Sequence, residues 1–203
     1  MKAIFYNDFE NSYIPHILKE VYIDKVYQPF FQGKKDLTVL EIGGNIGLVT
    51  SYFYPFCKRI VTVEPSKFHL ELRKKSLEFN NMLDKVTVVP KAVSNSNGTA
   101  KFYHSENVTM FSLRPEVNNK PNDVEEVETI TIDKLFEETG LGSVDFMKLD
   151  CEGAESEIIC GSGFEKVASK IKALTVEWHS WSNTSPNQLV NALSDYGFKV
   201  RQI

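Results

Sequence analysis

Short, nearly unbroken apolar runs alternate along the chain with segments of helical periodicity. Leu37–Ile42, Arg59–Glu64, Lys85–Val89, Val144–Leu149 and Ala173–Trp178 read as strands. Strands that are apolar on both faces and separated by helices predict a parallel sheet covered on both sides, hence an α/β fold of three layers, α/β/α. Phe198–Ile203 is a sixth strand candidate. Ser66, after Pro65, can cap a helix whose Phe68, Leu72 and Phe79 share a face. Ser185-Pro186-Asn187-Gln188 combines a capping box with proline at the first helical position; Leu189, Val190, Leu193 and Tyr196 then recur at helical spacing, and Gly197 ends the segment.

Two regions depart from this alternation. Gly98–Tyr103 and Val124–Ile130 each alternate with period two around a polar stretch. They predict an antiparallel pair inserted between strands three and four, with the loop 104–123 as a lid over a site. Residues 1–36 carry Ile14, Ile17, Leu18, Val21 and Tyr22 at helical spacing, broken by Pro29 and Gly33. They read as an N-terminal helical extension to a domain over 37–203, the whole forming a single structural domain.

Composition narrows the function classes. The 203 residues are 42% hydrophobic and 25% charged, ordinary globular usage, and no run approaches the roughly 18 apolar residues of a membrane helix. A net charge of −4 argues against a nucleic-acid partner, whose binding rests on clustered Lys and Arg. Arg73-Lys74-Lys75 reads as the solvated face of a helix. Cys57, Cys151 and Cys160 are odd in number and lack a CxxC spacing, and the first residues lack a secretion signal. A reducing, cytoplasmic compartment is the expectation.

The chemistry concentrates where the first strand ends. Glu41-Ile-Gly43-Gly44-Asn45-Ile-Gly47 is a strand running through glycines into a helix, a turn that sets backbone N–H groups against a ligand. Glu64, 21 residues after Gly43 and at the end of the next strand, can accept both hydroxyls of a ribose. The dinucleotide pattern GxGxxG would need glycine where Asn45 and Leu48 stand. Glu41 beside the turn disfavours phosphate and suits an ammonium group. S-adenosylmethionine has the ribose and the ammonium without a phosphate. A dinucleotide-dependent oxidoreductase and a non-catalytic nucleotide-binding scaffold are the other readings, and packing alone is a further use for the glycines.

The chain resembles the FkbM family of S-adenosylmethionine-dependent methyltransferases, which have a Rossmann-like, mostly parallel sheet. Three stretches over roughly residues 37–180 carry the likeness: Leu40–Gly47; Val63-Glu64-Pro65 with Pro90–Ser94; and Met147–Glu155, preceded by Thr129–Asp133. The resemblance implies that Glu41, Gly43, Gly44, Asn45 and Gly47 surround the methionine moiety, with Glu64 and Pro65 at the ribose. Lys91, Ala92 and Val93 would lie beside the adenine, and Asp150 and Glu152 would face the methyl-transfer cleft. It also implies O-methylation of a hydroxyl on a sugar, glycan or small natural product. The family sheet usually closes with an antiparallel pair, whereas this chain has one candidate strand there, so either six strands form or an N-terminal element supplies the last.

Strands four and five end in Lys148-Leu-Asp150-Cys-Glu152 and Glu177-Trp178-His179. Methyl transfer to oxygen requires alignment and removal of a hydroxyl proton. His179 is the favoured base because its ordinary pKa lies near neutrality, with Glu152 second and Asp150 a further candidate. Lys148 shares a strand face with Asp150, to pair with it or to stabilise an alkoxide. Asp150, Glu152, Glu177 and His179 could instead hold a divalent metal, but spacing across two strands only suggests it, and no metal ligand is assigned. Trp178 and Trp181 could stack on a sugar ring, with one of them in the core.

Overall fold

The computed structural model describes residues 13–105, 109–115, 123–182 and 184–201. Strands β1 (Leu37–Ile42), β2 (Cys57–Val63), β3 (Val86–Val89), β7 (Phe146–Leu149) and β8 (Leu174–Val176) form one sheet in the order β3-β2-β1-β7-β8. Every pairing in it is parallel. The five strands expected from the sequence are therefore all present, each within a few residues of its expected span.

Side-chain parity builds the two faces. Leu40, Ile42, Val61, Val63, Met147 and Leu149 join one buried cluster with α5 (Ile132–Thr139), α6 (Glu155–Ile159), α7 (Ser162–Val167) and α8 (Pro186–Asp195). Val39, Ile60 and Phe146 face the other way, onto Val21, Phe31 and Phe53. Of these, Val21 lies in a π-helical turn (Lys19–Asp24) after α1 (Ile14–Leu18), Phe31 in α2 (Gln28–Phe31), and Phe53 in α3 (Leu48–Phe53). The segment before β1 is thus part of the core; residues 1–12 lie outside the described ones.

Register places the site. Ile42 lies opposite Val63 and opposite Leu149, and Leu149 opposite Val176. The next residues, Gly43, Glu64, Asp150 and Glu177, consequently emerge together at one edge. The chain moves from β1 outward to β3, then returns to lay β7 on the other side of β1. A crevice forms at the carboxyl ends of the strands beside such a reversal.

The insertion is a small mixed sheet. β5 (Gly98–Tyr103) and β6 (Val124–Ile130) pair antiparallel as expected, and the two-residue β4 (Ala92–Val93) joins β6 in parallel. Both helix caps form: Ser66 accepts the His69 N–H ahead of α4 (Lys67–Phe79), and Ser185 and Gln188 complete the capping box of α8. Two expectations fail here. Of the sixth candidate, Phe198–Ile203, the described residues 198–201 carry no strand and 202–203 lie outside the described ones, so the described sheet stops at β8; alternation supplies a face preference but no pairing edge. In α4 the buried stripe is His69, Leu72, Arg73, Ser76 and Leu77, while Phe68 and Phe79 are 37% and 54% exposed. Among the described residues no helix is long and apolar enough to cross a membrane.

Candidate functional site

A cavity of about 380 Å³ opens at the strand ends. Gly43, Gly44, Asn45, Glu64, Pro65, Lys91 and Ala92 line one side; Lys148, Asp150, Glu152, Glu177, His179 and Trp181 line the other. Tyr13, His16, Ile17 and Tyr27 before β1, and Met110 and Phe111 after β5, complete the wall. The loop expected to cover the site does contribute, through its described part.

The glycine turn is shaped by close approach. Gly43 has φ +83°, and a Cβ there would lie 1.5 Å from the Asp150 carbonyl oxygen, so a side chain would separate β1 from β7. The turn's N–H groups are already used. Gly43 and Gly44 both donate to the Val63 carbonyl, Asn45 to Glu64 Oε2, Ile46 to its neighbour's Asn45 Oδ1, and Gly47 to the Gly44 carbonyl. This corrects the expectation that these donors face a ligand: no phosphate cradle remains at residues 43–47. Gly47 is the left-handed N-cap of α3 and does not line the cavity.

Glu64 is held by several partners. Its Oε2 accepts the Asn45 N–H at 2.8 Å, and its Oε1 accepts the Ser66 N–H at 2.9 Å and stands 3.2 Å from His69 Nδ1. Burial opposes its charge, but His69 and the two N–H donors outweigh that and hold its pKa below the usual value. His69, given no role from the sequence, is the residue that orients this carboxylate. Its ring stacks on Phe111, whose ring also stacks on His104.

Glu41 is a second correction. It is 0% exposed and does not line the cavity. It points behind the turn, where Oε2 accepts from Arg73 at 3.0 Å and from the hydroxyls of Thr50 and Thr62. Arg73, expected on a solvated face, is likewise 0% exposed and also donates to the Asn45 carbonyl. A buried guanidinium takes this carboxylate, so Glu41 is withdrawn from the ligand set. The sequence signal was the α4 stripe at 69, 72, 73, 76 and 77, in which Arg73 takes a core position. Lys91 reaches the cavity, but its ammonium is engaged by Glu138 at 3.1 Å and Glu128 at 3.6 Å.

At the opposite wall, the Lys148 ammonium donates to Asp150 Oδ2 at 2.8 Å and to the Gly43 carbonyl at 3.1 Å, the pairing that strand parity allowed. Glu152 and Gly153 both take positive φ, turning the chain so that Glu152 faces His179. The Glu152 carbonyl accepts from the Trp181 indole N–H and the Ser112 hydroxyl, which ties the loop after β5 to this turn. Trp178 donates to the Thr184 carbonyl and packs against the core, leaving Trp181 as the cavity tryptophan.

Glu155, unassigned from the sequence, organises the cluster. It is fully buried, accepts the N–H groups of Cys151 and Gly153, and meets His179 Nδ1 at 3.0 Å. The remaining nitrogen, Nε2, stands 3.4 Å from Glu152 Oε2, 3.8 Å from Glu177 Oε1 and 3.9 Å from Asp150 Oδ1. Burial disfavours the imidazolium, yet Glu155, Glu152 and Asp150 overcome it and lift the His179 pKa to about 9. The near-neutral pKa on which its choice as base rested is therefore displaced by surrounding carboxylates. Burial, reinforced by Asp150 and Glu177 against the pull of His179, lifts Glu152 to about 8.

Comparison with known proteins agrees with this architecture. The Methyltransferase FkbM domain profile matches residues 41–200. The chain is 26% identical to methyltransferase sdnD of Sordaria araneosa, over 91% of this chain and 82% of that one. The precorrin-8w decarboxylase structure from Methanobacterium thermoautotrophicum superposes with a TM-score of 0.54 at 13% identity, covering 87% of this chain and 72% of that one. The precorrin-6y C5,15-methyltransferase of Geobacter metallireducens gives 0.52 at 14%, covering 87% and 71%.

Proposed function

The chain belongs to the FkbM methyltransferase family, and from that premise we propose that it uses S-adenosylmethionine to methylate a hydroxyl of a sugar, glycan or small natural product. The observation that carries the cofactor reading is Glu64: an ionised carboxylate fixed by two backbone N–H groups at the wall of a cavity whose glycine turn has no N–H left for phosphate. A nucleoside with a ribose diol and no phosphate suits that combination, whereas the pyrophosphate of a dinucleotide does not. The cavity volume falls in the range of ordinary small-ligand sites.

The residues then divide by role. Glu64 and Pro65 take the ribose, Lys91 and Ala92 border the adenine, and Gly43, Gly44 and Asn45 form the floor under the methionine part. When bound, S-adenosylmethionine supplies a methyl carbon activated by positive sulfur. Lys148 neutralises Asp150 and ties it to the Gly43 carbonyl, which sets the distance between floor and reacting wall. Asp150 and His179 orient the acceptor hydroxyl and Glu152, its pKa lifted to about 8, takes its proton, while Trp181 offers an aromatic face for a sugar ring.

Glu152→Gln tests the division. Turnover should fall by about 10²–10⁴-fold, the usual worth of a positioned proton-handling group, while affinity for S-adenosylhomocysteine stays at the wild-type value. Single-turnover methyl transfer and calorimetry on the same preparation read the two quantities. Unchanged turnover would remove Glu152 from the reacting wall.

A further inference from the structure

We propose that the reacting wall is a divalent-cation site in which His179 Nε2 and Asp150 Oδ1 are protein ligands, Glu152 Oε2 lies within reach of the same nitrogen, and Glu155 is the outer partner of His179. Metal-bound histidines almost always donate their other ring N–H to a carboxylate, a backbone carbonyl or water, which fixes the ring and leaves one lone pair for the ion. Glu155 has that place. It is fully buried, it is anchored by two backbone N–H groups, and it holds Nδ1 at 3.0 Å without itself lining the cavity. His179, with a side chain only 9% exposed, makes its hydrogen bond through Nδ1 and turns Nε2 toward the carboxylates.

The two distances measured from His179 Nε2 fall in the range for ligands of one ion. Ligands about 2.1 Å from one cation lie about 3.0 to 4.2 Å apart as the angle between them opens from 90° to 180°. From Nε2, Glu152 Oε2 stands at 3.4 Å and Asp150 Oδ1 at 3.9 Å. Glu152 Oε2 is buried and makes no hydrogen bond among the described residues. The other Asp150 oxygen is taken by Lys148, which leaves Oδ1 free to ligate. Asp150 and His179, with Glu155 rather than Glu152 as the third member, bring candidate atoms within 4.8 Å of one another. Glu155 is better read as the outer partner than as a ligand, because its oxygens already accept from Cys151, Gly153 and His179.

One imidazole with carboxylates, and no thiolate among these ligands, suits an ion of the Mn²⁺ or Mg²⁺ type whose remaining positions open into the cavity. On the methyl-transfer reading, those positions would take the acceptor oxygen and lower the pKa of its proton, a use that rests on that reading. The site itself can be tested without turnover. The whole chain, stripped with a chelator, is titrated with Mn²⁺ and followed by electron paramagnetic resonance and by calorimetry. One equivalent should bind with a submillimolar dissociation constant. His179→Ala and Asp150→Asn should each weaken it, and Glu155→Gln should weaken it by ~10–100-fold, the usual cost of losing an outer partner. S-adenosylhomocysteine binding by each variant confirms an intact fold, and its loss in the wild type would count against the cofactor reading instead. No saturable Mn²⁺ binding at millimolar concentration, or binding unaltered in both ligand variants, would overturn the site.

Discussion

Replacing Glu64 with alanine is expected to weaken binding of S-adenosylhomocysteine by at least ~100-fold, because on the proposed placement two ribose hydroxyls would each lose a charge-assisted hydrogen bond worth about 1.5–3 kcal/mol. The carboxylate does not have to be recruited on binding. The Asn45 and Ser66 N–H groups and His69 already hold it in place, so the cost of orienting it falls on the fold. The same contacts complicate the alanine variant, which leaves two buried N–H groups without their acceptor. Glu64→Gln is therefore the companion: it keeps the shape and removes the charge, and it should fall between wild type and alanine. Thermal unfolding of both variants separates lost binding from lost fold. Wild-type affinity in a folded Glu64→Ala protein would place the ribose elsewhere.

The second large effect is on stability. Arg73→Ala is expected to cost about 3–5 kcal/mol, since removing one partner of a buried ion pair leaves the other charge buried and uncompensated. Glu41 and Arg73 are both fully buried, and the Thr50 and Thr62 hydroxyls that also serve Glu41 cannot replace a cation. The guanidinium further donates to the Asn45 carbonyl, and a Cβ on Gly44 would lie 2.2 Å from Arg73 Nη1, so the glycine turn is packed directly on this side chain. The variant should accordingly lose cofactor affinity along with stability. In the double variant Glu41→Gln/Arg73→Met, neither charge remains buried alone, and most of the stability should return. Denaturant unfolding measures both; a cost below about 1 kcal/mol for Arg73→Ala would mean that the buried Arg73–Glu41 pair does not hold the turn.

The sheet was legible because its inner strands β1, β2 and β7 are largely buried on both faces, which writes them as continuous apolar runs ending in Gly43, Glu64 and Asp150. The small insertion was legible for the opposite reason: β5 and β6 alternate, each with one face toward solvent. What escaped notice was the direction of polar groups inside the fold. The charge run at Arg73-Lys74-Lys75 looks uniform in sequence, yet 73 falls on the core stripe of α4 while 74 and 75 do not. Glu41 reads as a ligand from its place beside the glycines, and only its buried partner shows otherwise. Glu155 lies within the most distinctive stretch of the chain, but its work is done through Cys151, Gly153 and His179, contacts made by a turn with two positive-φ residues. The failed strand at 198–201 has the converse cause: an alternating pattern specifies faces without specifying a neighbour.

The central claim is that this cavity is built for a phosphate-free adenosyl ligand. Isothermal calorimetry of the whole chain with S-adenosylhomocysteine, in parallel with oxidised and reduced nicotinamide dinucleotides, tests it most directly. The account predicts one equivalent of S-adenosylhomocysteine bound at micromolar affinity and no measurable heat from the dinucleotides. A folded protein that ignored S-adenosylhomocysteine, or that bound a dinucleotide more tightly, would contradict it.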